Sequence, residues 1–139
     1  MEKPRFPAYK TMLLGLAFTV FLAAILLEEA QIEKSEPFTE LYFNNYSKLP
    51  QNIEPNRTYD LSFTIANRER VEQTYLVRVT AEYGGKRKTL FASDELIGPD
   101  QSAVIPVSFM INESFASAKI AVRLDNMEQE IHFWAGGEQ

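Results

Sequence analysis

No cysteine occurs anywhere in the 139 residues. That excludes a disulfide scaffold, a thiolate metal centre, a cysteine nucleophile and a lipidated N-terminal cysteine. Histidine occurs once, at His132, and neither an H-x-x-x-H nor a D-x-D-x-D-G pattern accompanies it, so no metal site is expected. The sequence also lacks a G-x-S-x-G elbow, a phosphate-cradling glycine loop, a dinucleotide fingerprint and any recognisable pairing of carboxylates. No catalytic residue and no cofactor are therefore expected. Clustered basic residues are scarce: only Lys86-Arg87-Lys88 stand together. From Glu28 onward eighteen acidic residues face eleven basic ones, a net of about −7, so nucleic acid is not an expected partner.

The most prominent stretch present is TMLLGLAFTVFLAAILL, residues 11–27, which carries no charge and is apolar apart from Thr11 and Thr19. Seventeen helical residues rise roughly 25 Å, a little short of a hydrocarbon core of roughly 30 Å. Phe6 and Tyr9 can extend the buried stretch as interfacial aromatics, and Lys10 can snorkel to the headgroups. Lys3, Arg5 and Lys10 precede the run, and Glu28 and Glu29 follow it. The positive flank places residues 1–10 in the cytoplasm and the rest of the chain outside a cell membrane.

A basic segment before an apolar core is also the signature of a cleaved signal peptide. Against cleavage stand the length of the run and the lack of a small-x-small site, since Ala30 follows Glu28 by two residues. Gly15, Thr19 and Ala23 share one helix face at four-residue spacing, which allows close approach of a second helix.

Residues 28–37 read as a polar linker ending at Pro37, and residues 38–139 as one extracytoplasmic domain. Here the hydrophobic period changes to two. Residues 38–43 (FTELYF) are rich in strand formers. Apolar residues then alternate at Tyr59, Leu61, Phe63 and Ile65; at Tyr75, Val77, Val79 and Ala81; at Ala103, Ile105, Val107, Phe109 and Ile111; at Ile120, Val122 and Leu124; and at Ile131 and Phe133.

Tyr83-Gly84-Gly85-Lys86 predicts a tight hairpin that returns residues 86–92 beside residues 73–83. Pro106 lacks a donor, so its strand lies at an edge or is bulged there. Turn-rich breaks fall at residues 50–56, 98–100, 112–114 and 125–126. About seven short strands without helical period between them predict a mainly β fold, an antiparallel immunoglobulin-like sandwich behind one N-terminal transmembrane helix.

Three N-x-S/T tripeptides, at Asn45, Asn56 and Asn112, fall in the predicted loops and are candidate N-glycosylation sites. Asn67 and Glu69 end a predicted strand and are expected to satisfy turn backbone groups, with cation or sugar binding as the alternative. His132 and Trp134 lie on the strand face opposite Ile131 and Phe133, as surface residues or as a small interaction patch.

FTELYF at residues 38–43, followed by LPQNIEPNRTYDLSFTIANRERVEQTYLVRV at residues 49–79, resembles the C-terminal region of the mostly archaeal membrane proteins grouped as domain of unknown function 1616. In that family a T-E-L-Y strand precedes a Y-P-x-N-L-x-x-G-E turn, a strand ending in N-H-E and a strand opening with Tyr. Thr39, Glu40, Leu41 and Tyr42 match the first; Pro50, Asn52 and Ile53 the second; Asn67 and Glu69 the third; Tyr75 the fourth. Leu49, Pro55-Asn56 and Arg68 depart from the pattern. The resemblance implies a cell-envelope protein with an outward domain and implies no known activity.

The expectation is a single-pass, non-enzymatic accessory module that contacts the bilayer and another membrane or cell-surface protein, or itself. A glycosylated surface coat or homo-oligomer is the first alternative, and an envelope polysaccharide hydrolase the second.

Overall fold

The computed structural model describes residues 18–21 and 36–137. The chain divides into two compact units, Met1–Glu36 and Pro37–Gln139. In the first, residues 18–21 are helical. Thr19 lies there, whereas Gly15, Ala23 and the rest of the expected span, the residues before it and most of the linker lie outside the described residues. Among the described residues no helix is long and apolar enough to cross a membrane.

The second unit is mainly β. Its strands are β1 (Thr39–Phe43), β2 (Asn52–Ile53), β3 (Thr58–Asn67), β4 (Gln73–Tyr83), β5 (Lys86–Ile97), β6 (Ser102–Met110), β7 (Ser117–Leu124) and β8 (Gln129–Gly137), with a single 3-10 turn at Tyr46–Lys48. They form a three-stranded sheet ordered β1-β3-β6 and a five-stranded sheet ordered β2-β8-β7-β4-β5. All pairings are antiparallel except β2 with β8.

The two-residue period accounts for both sheets, because alternate side chains of a strand face the same way. Leu61, Phe63 and Ile65 of β3 and Ile105, Val107 and Phe109 of β6 point inward from one sheet. Tyr75, Val77, Val79 and Ala81 of β4 and Ile120, Val122 and Leu124 of β7 meet them from the other. Phe63 and Tyr75 are fully buried, and burying a side chain of that size contributes about 1.5–3 kcal/mol. The sheets are also stitched by polar contacts. The Thr39 and Tyr75 hydroxyls lie 3.0 Å apart, and Gln129 Nε2 donates to the Thr39 carbonyl at 3.2 Å. Phe43 meets Phe133 edge to face at 5.6 Å.

The expected hairpin is present: Tyr83 pairs with Lys86, and Gly84 and Gly85 adopt φ of 55° and 75°. Positive φ at both central residues is what a two-residue connection requires. Pro106 sits exposed, opposite Ser62, on β6 at the edge of its sheet, so of the two readings the edge position applies. Two features differ from the sequence expectation. β5 continues five residues beyond position 92, past a register shift at Val79/Thr80 that leaves Leu90 between the partners of those residues. β2 forms within the stretch expected to be a turn, and seats Ile53 in the core.

These registers sort the loops into two groups. Pro37, where the second unit begins, lies at one end with loops 68–72, 98–101 and 125–128. At the other end lie segment 44–57, the Gly84-Gly85 turn, loop 111–116 and Gly137.

Candidate binding face on the five-stranded sheet

The solvent face of the five-stranded sheet collects charge that the sequence scatters over fifty residues. Strand order sets Trp134 of β8 beside Lys119 of β7, Lys119 beside Glu82 of β4, and Glu82 beside Arg87 of β5. The next rows run His132, Ala121, Thr80, Thr89 and then Glu130, Arg123, Arg78, Ala92.

Opposite charges meet along these rows. Arg87 donates to Glu82 Oε1 through Nε at 2.8 Å and approaches it through Nη2 at 2.7 Å. Arg123 reaches the same oxygen at 3.7 Å and also pairs with Glu130. Lys119 pairs with Glu130 as well, and His132 Nδ1 lies 3.4 Å from it. The result is one ladder of ion pairs from β5 to β8. The hydrogen bond from Lys119, opposed by partial burial and helped by Arg123, holds the Glu130 carboxyl below the usual carboxylate range. Arg78 pairs separately with Asp125 at 2.8 Å.

Trp134 stands at the hairpin end of this ladder and is 64% exposed. It borders a depression of about 500 Å³ lined also by Glu82, Lys86, Arg87 and Ser117, with Gly84 and Gly85 supplying backbone. A Cβ at either glycine would meet nothing within 4 Å, so this side of the depression is open. A second depression of about 340 Å³ shares Tyr83, Gly84, Lys86 and Ser117 with the first and extends to Glu113 and Ser114. Lys86 bridges to Glu113 at 3.1 Å.

Asn45, Asn56 and Asn112 are all exposed and all lie at the end of the sandwich opposite Pro37. Asn45 Oδ1 accepts from the Ser47 hydroxyl at 2.8 Å, and Asn56 has φ of 62°, a conformation asparagine tolerates.

Asn67 is wholly buried. Its Nδ2 donates to the carbonyls of Val71, Ile97 and Gly98 at 2.9, 2.9 and 3.1 Å, and its Oδ1 accepts from the Glu69 amide at 2.8 Å. It thereby brackets two loops, and Glu69 contributes through its backbone. His132 and Trp134 share one face, as alternation predicts, although His132 lies against Glu130 of the ladder and Trp134 borders the depression.

Of the ladder, Arg87 is marked in the sequence only as part of the Lys86-Arg87-Lys88 cluster, and Glu82, Lys119, Arg123 and Glu130 are not singled out. Alternation marks each as an outward residue, but their convergence depends on strand order, which a single sequence does not display. Among the described residues no group of three histidine or acidic side chains converges where a metal ion could sit.

No protein-family model matches the chain, and neither does any curated protein sequence. Solved structures do. A β-glucosidase from Listeria innocua in complex with gluconolactone superimposes with a TM-score of 0.61 at 12% identity over 76% of this chain and 17% of that one. The β-glucosidase EmGH1 from Erythrobacter marinus gives 0.57 at 8% identity over 72% and 16%. The alkylpurine DNA glycosylase AlkC of Pseudomonas fluorescens, bound to DNA containing an abasic-site analogue, gives 0.56 at 14% over 76% and 32%. The chain thus spans about one sixth of the β-glucosidases and one third of AlkC, and at such identities the likeness is one of fold.

Proposed function

We propose that the chain is a single-pass membrane protein whose β unit is an immunoglobulin-like docking module held outside the cell. The observation that carries the docking role is Trp134, a largely exposed indole beside a depression of about 500 Å³ whose charged lining is already paired. Exposed aromatics beside pre-organised polar groups are the usual anchors of recognition surfaces.

The uncharged run at residues 11–27, with basic residues before it and glutamates after it, supports an anchor with a cytoplasmic N-terminus. The resemblance of residues 38–79 to domain of unknown function 1616 supports a place in the cell envelope. Gly15, Thr19 and Ala23 give the anchor a face on which a partner's helix can pack. All three sequons lie away from Pro37, so glycans there would leave the anchored end clear.

Polysaccharide hydrolysis needs two carboxyl groups roughly 5–10 Å apart, one of them held protonated. Glu82 and Glu130, the carboxylates of the ladder, are each paired with cations, and Glu130 is shifted down rather than up. That direction favours docking over general-acid chemistry.

The test is a crosslinked pull-down from detergent-solubilised native membranes, read by mass spectrometry, with full-length protein compared against the same β unit on an unrelated span. A stoichiometric partner retained by the chimaera supports docking through the β unit, whereas a partner lost in the chimaera assigns binding to the native span and overturns the docking role of Trp134. Recovery of the protein alone would favour a self-assembling coat.

A further inference from the structure

We infer that the two adjoining depressions form one saccharide-binding groove running from the Asn112 loop to Trp134, and that its ligand is a neutral pyranose chain. This rests on the docking role and names its ligand class. The indole of Trp134 offers an exposed flat apolar surface, which suits the axial C–H face of a pyranose ring. Around it stand the groups that ring hydroxyls need: the Glu82 carboxylate as acceptor, the Arg87 guanidinium as donor and the Ser117 hydroxyl as either.

Charge selects a neutral ligand. Within the groove Glu82 offsets Arg87 and Glu113 offsets Lys86, so neither an anionic nor a cationic ligand gains a net attraction. The same pairs hold the polar groups in place before binding, which lowers the ordering cost. Gly84 and Gly85 keep the groove shallow and open, as an extended chain of rings requires. The second depression is lined by Glu113 and Ser114 of the Asn112-Glu113-Ser114 sequon. The saccharide therefore has two sources: a free envelope glycan, or a glycan carried on Asn112 of the same chain and laid along the groove.

Trp134 is the only tryptophan in the chain, so its fluorescence reports on this site alone. Full-length protein from a non-glycosylating host, in a detergent without a sugar headgroup, is titrated with maltotriose, cellotriose and triacetylchitotriose. Concentrations run to about 20 mM, above the millimolar range of sites with few contacts. A saturable blue shift with at least one probe is expected. By calorimetry Trp134→Ala weakens that binding about tenfold, the loss of one stacking aromatic, whereas Trp134→Phe recovers part of it.

Full-length protein carrying a glycan at Asn112 distinguishes the sources. Shielding of Trp134 from acrylamide that is released by Asn112→Gln assigns the groove to the chain's own glycan. Equal probe binding with and without the glycan assigns it to a free saccharide. No response to any probe by the bare protein, together with quenching that is indifferent to the Asn112 glycan, overturns the proposal; if mass shows Asn112 unmodified, the titration decides alone. A partner still recovered with the chimaera in the pull-down under that outcome leaves the docking role intact, so the two failures are distinguishable.

Discussion

Replacing Asn67 by alanine removes one carboxamide and unties two loops. Nδ2 serves three carbonyls and Oδ1 one amide, all from a side chain with no solvent exposure. The two N–H groups are shared among three acceptors, so about three full hydrogen bonds are lost. At about 0.5–1.5 kcal/mol net for each, and more where a group stays buried and unpaired, the cost is about 2–4 kcal/mol. For a domain of this size that lowers the melting temperature by about 10–20 °C.

The assay is thermal unfolding of the full-length chain followed by far-ultraviolet circular dichroism. Asn67→Asp sharpens it, because it keeps the acceptor for the Glu69 amide but turns a second oxygen toward three carbonyls. Burial against those oxygens raises the aspartate pKa, so its stability relative to wild type is best below the unfolded value of about 3.9 and worsens as pH rises toward 7. A drop of less than about 3 °C for Asn67→Ala, or an Asn67→Asp variant that comes closer to wild-type stability at neutral than at acid pH, would refute the bracketing role.

Thr80 is buried and its hydroxyl has no hydrogen-bond partner among the described residues. Thr80→Val is therefore expected to stabilise by about 1 kcal/mol, read as a higher urea midpoint at unchanged slope. Glu128 holds φ of 53° in the β7–β8 turn. Glu128→Gly relieves that strain and should raise stability by up to about 1 kcal/mol, whereas Glu128→Val should lower it. A Cβ at Gly137 would lie 2.1 Å from the Phe115 carbonyl oxygen, so Gly137→Ala should either cost about 1–3 kcal/mol or release the last β2–β8 pairing, visible as faster amide exchange at Ile53. Because the Glu130 pKa is lowered in the fold, its stabilisation is present above the ordinary carboxylate value and lost as pH falls below it. Glu130→Gln should flatten that acid limb in urea titrations.

The strands that bury one face in the core were legible in the sequence because their period survives intact. Tyr75 to Ala81 in β4 and Ile105 to Phe109 in β6 alternate without a break. The Gly84-Gly85 turn was legible for the same local reason, since only positive φ joins paired strands in two residues. β5 was under-read because it is an edge strand with little buried surface, and because Leu90 falls between register partners and breaks the alternation. β2 was missed because two residues display no period, and Ile53 takes its place from β8 far along the chain. The binding face divides the same way. His132 and Trp134 could be assigned to a common outward face, and the hairpin sets Glu82 beside Arg87, but Lys119, Arg123 and Glu130 join them only once the order β8-β7-β4-β5 is known.

The absence of cysteine makes the sidedness of the protein directly measurable. A single Glu72→Cys substitution in the exposed 68–72 loop provides the one thiol in the chain, to be probed in intact cells with a membrane-impermeant maleimide, alongside alkaline extraction of the membranes. An anchored module outside the cell is labelled without lysis, and the labelled protein stays in the extracted membrane pellet. Labelling only after lysis, or release of the protein by alkali, would contradict an anchored module held outside the cell.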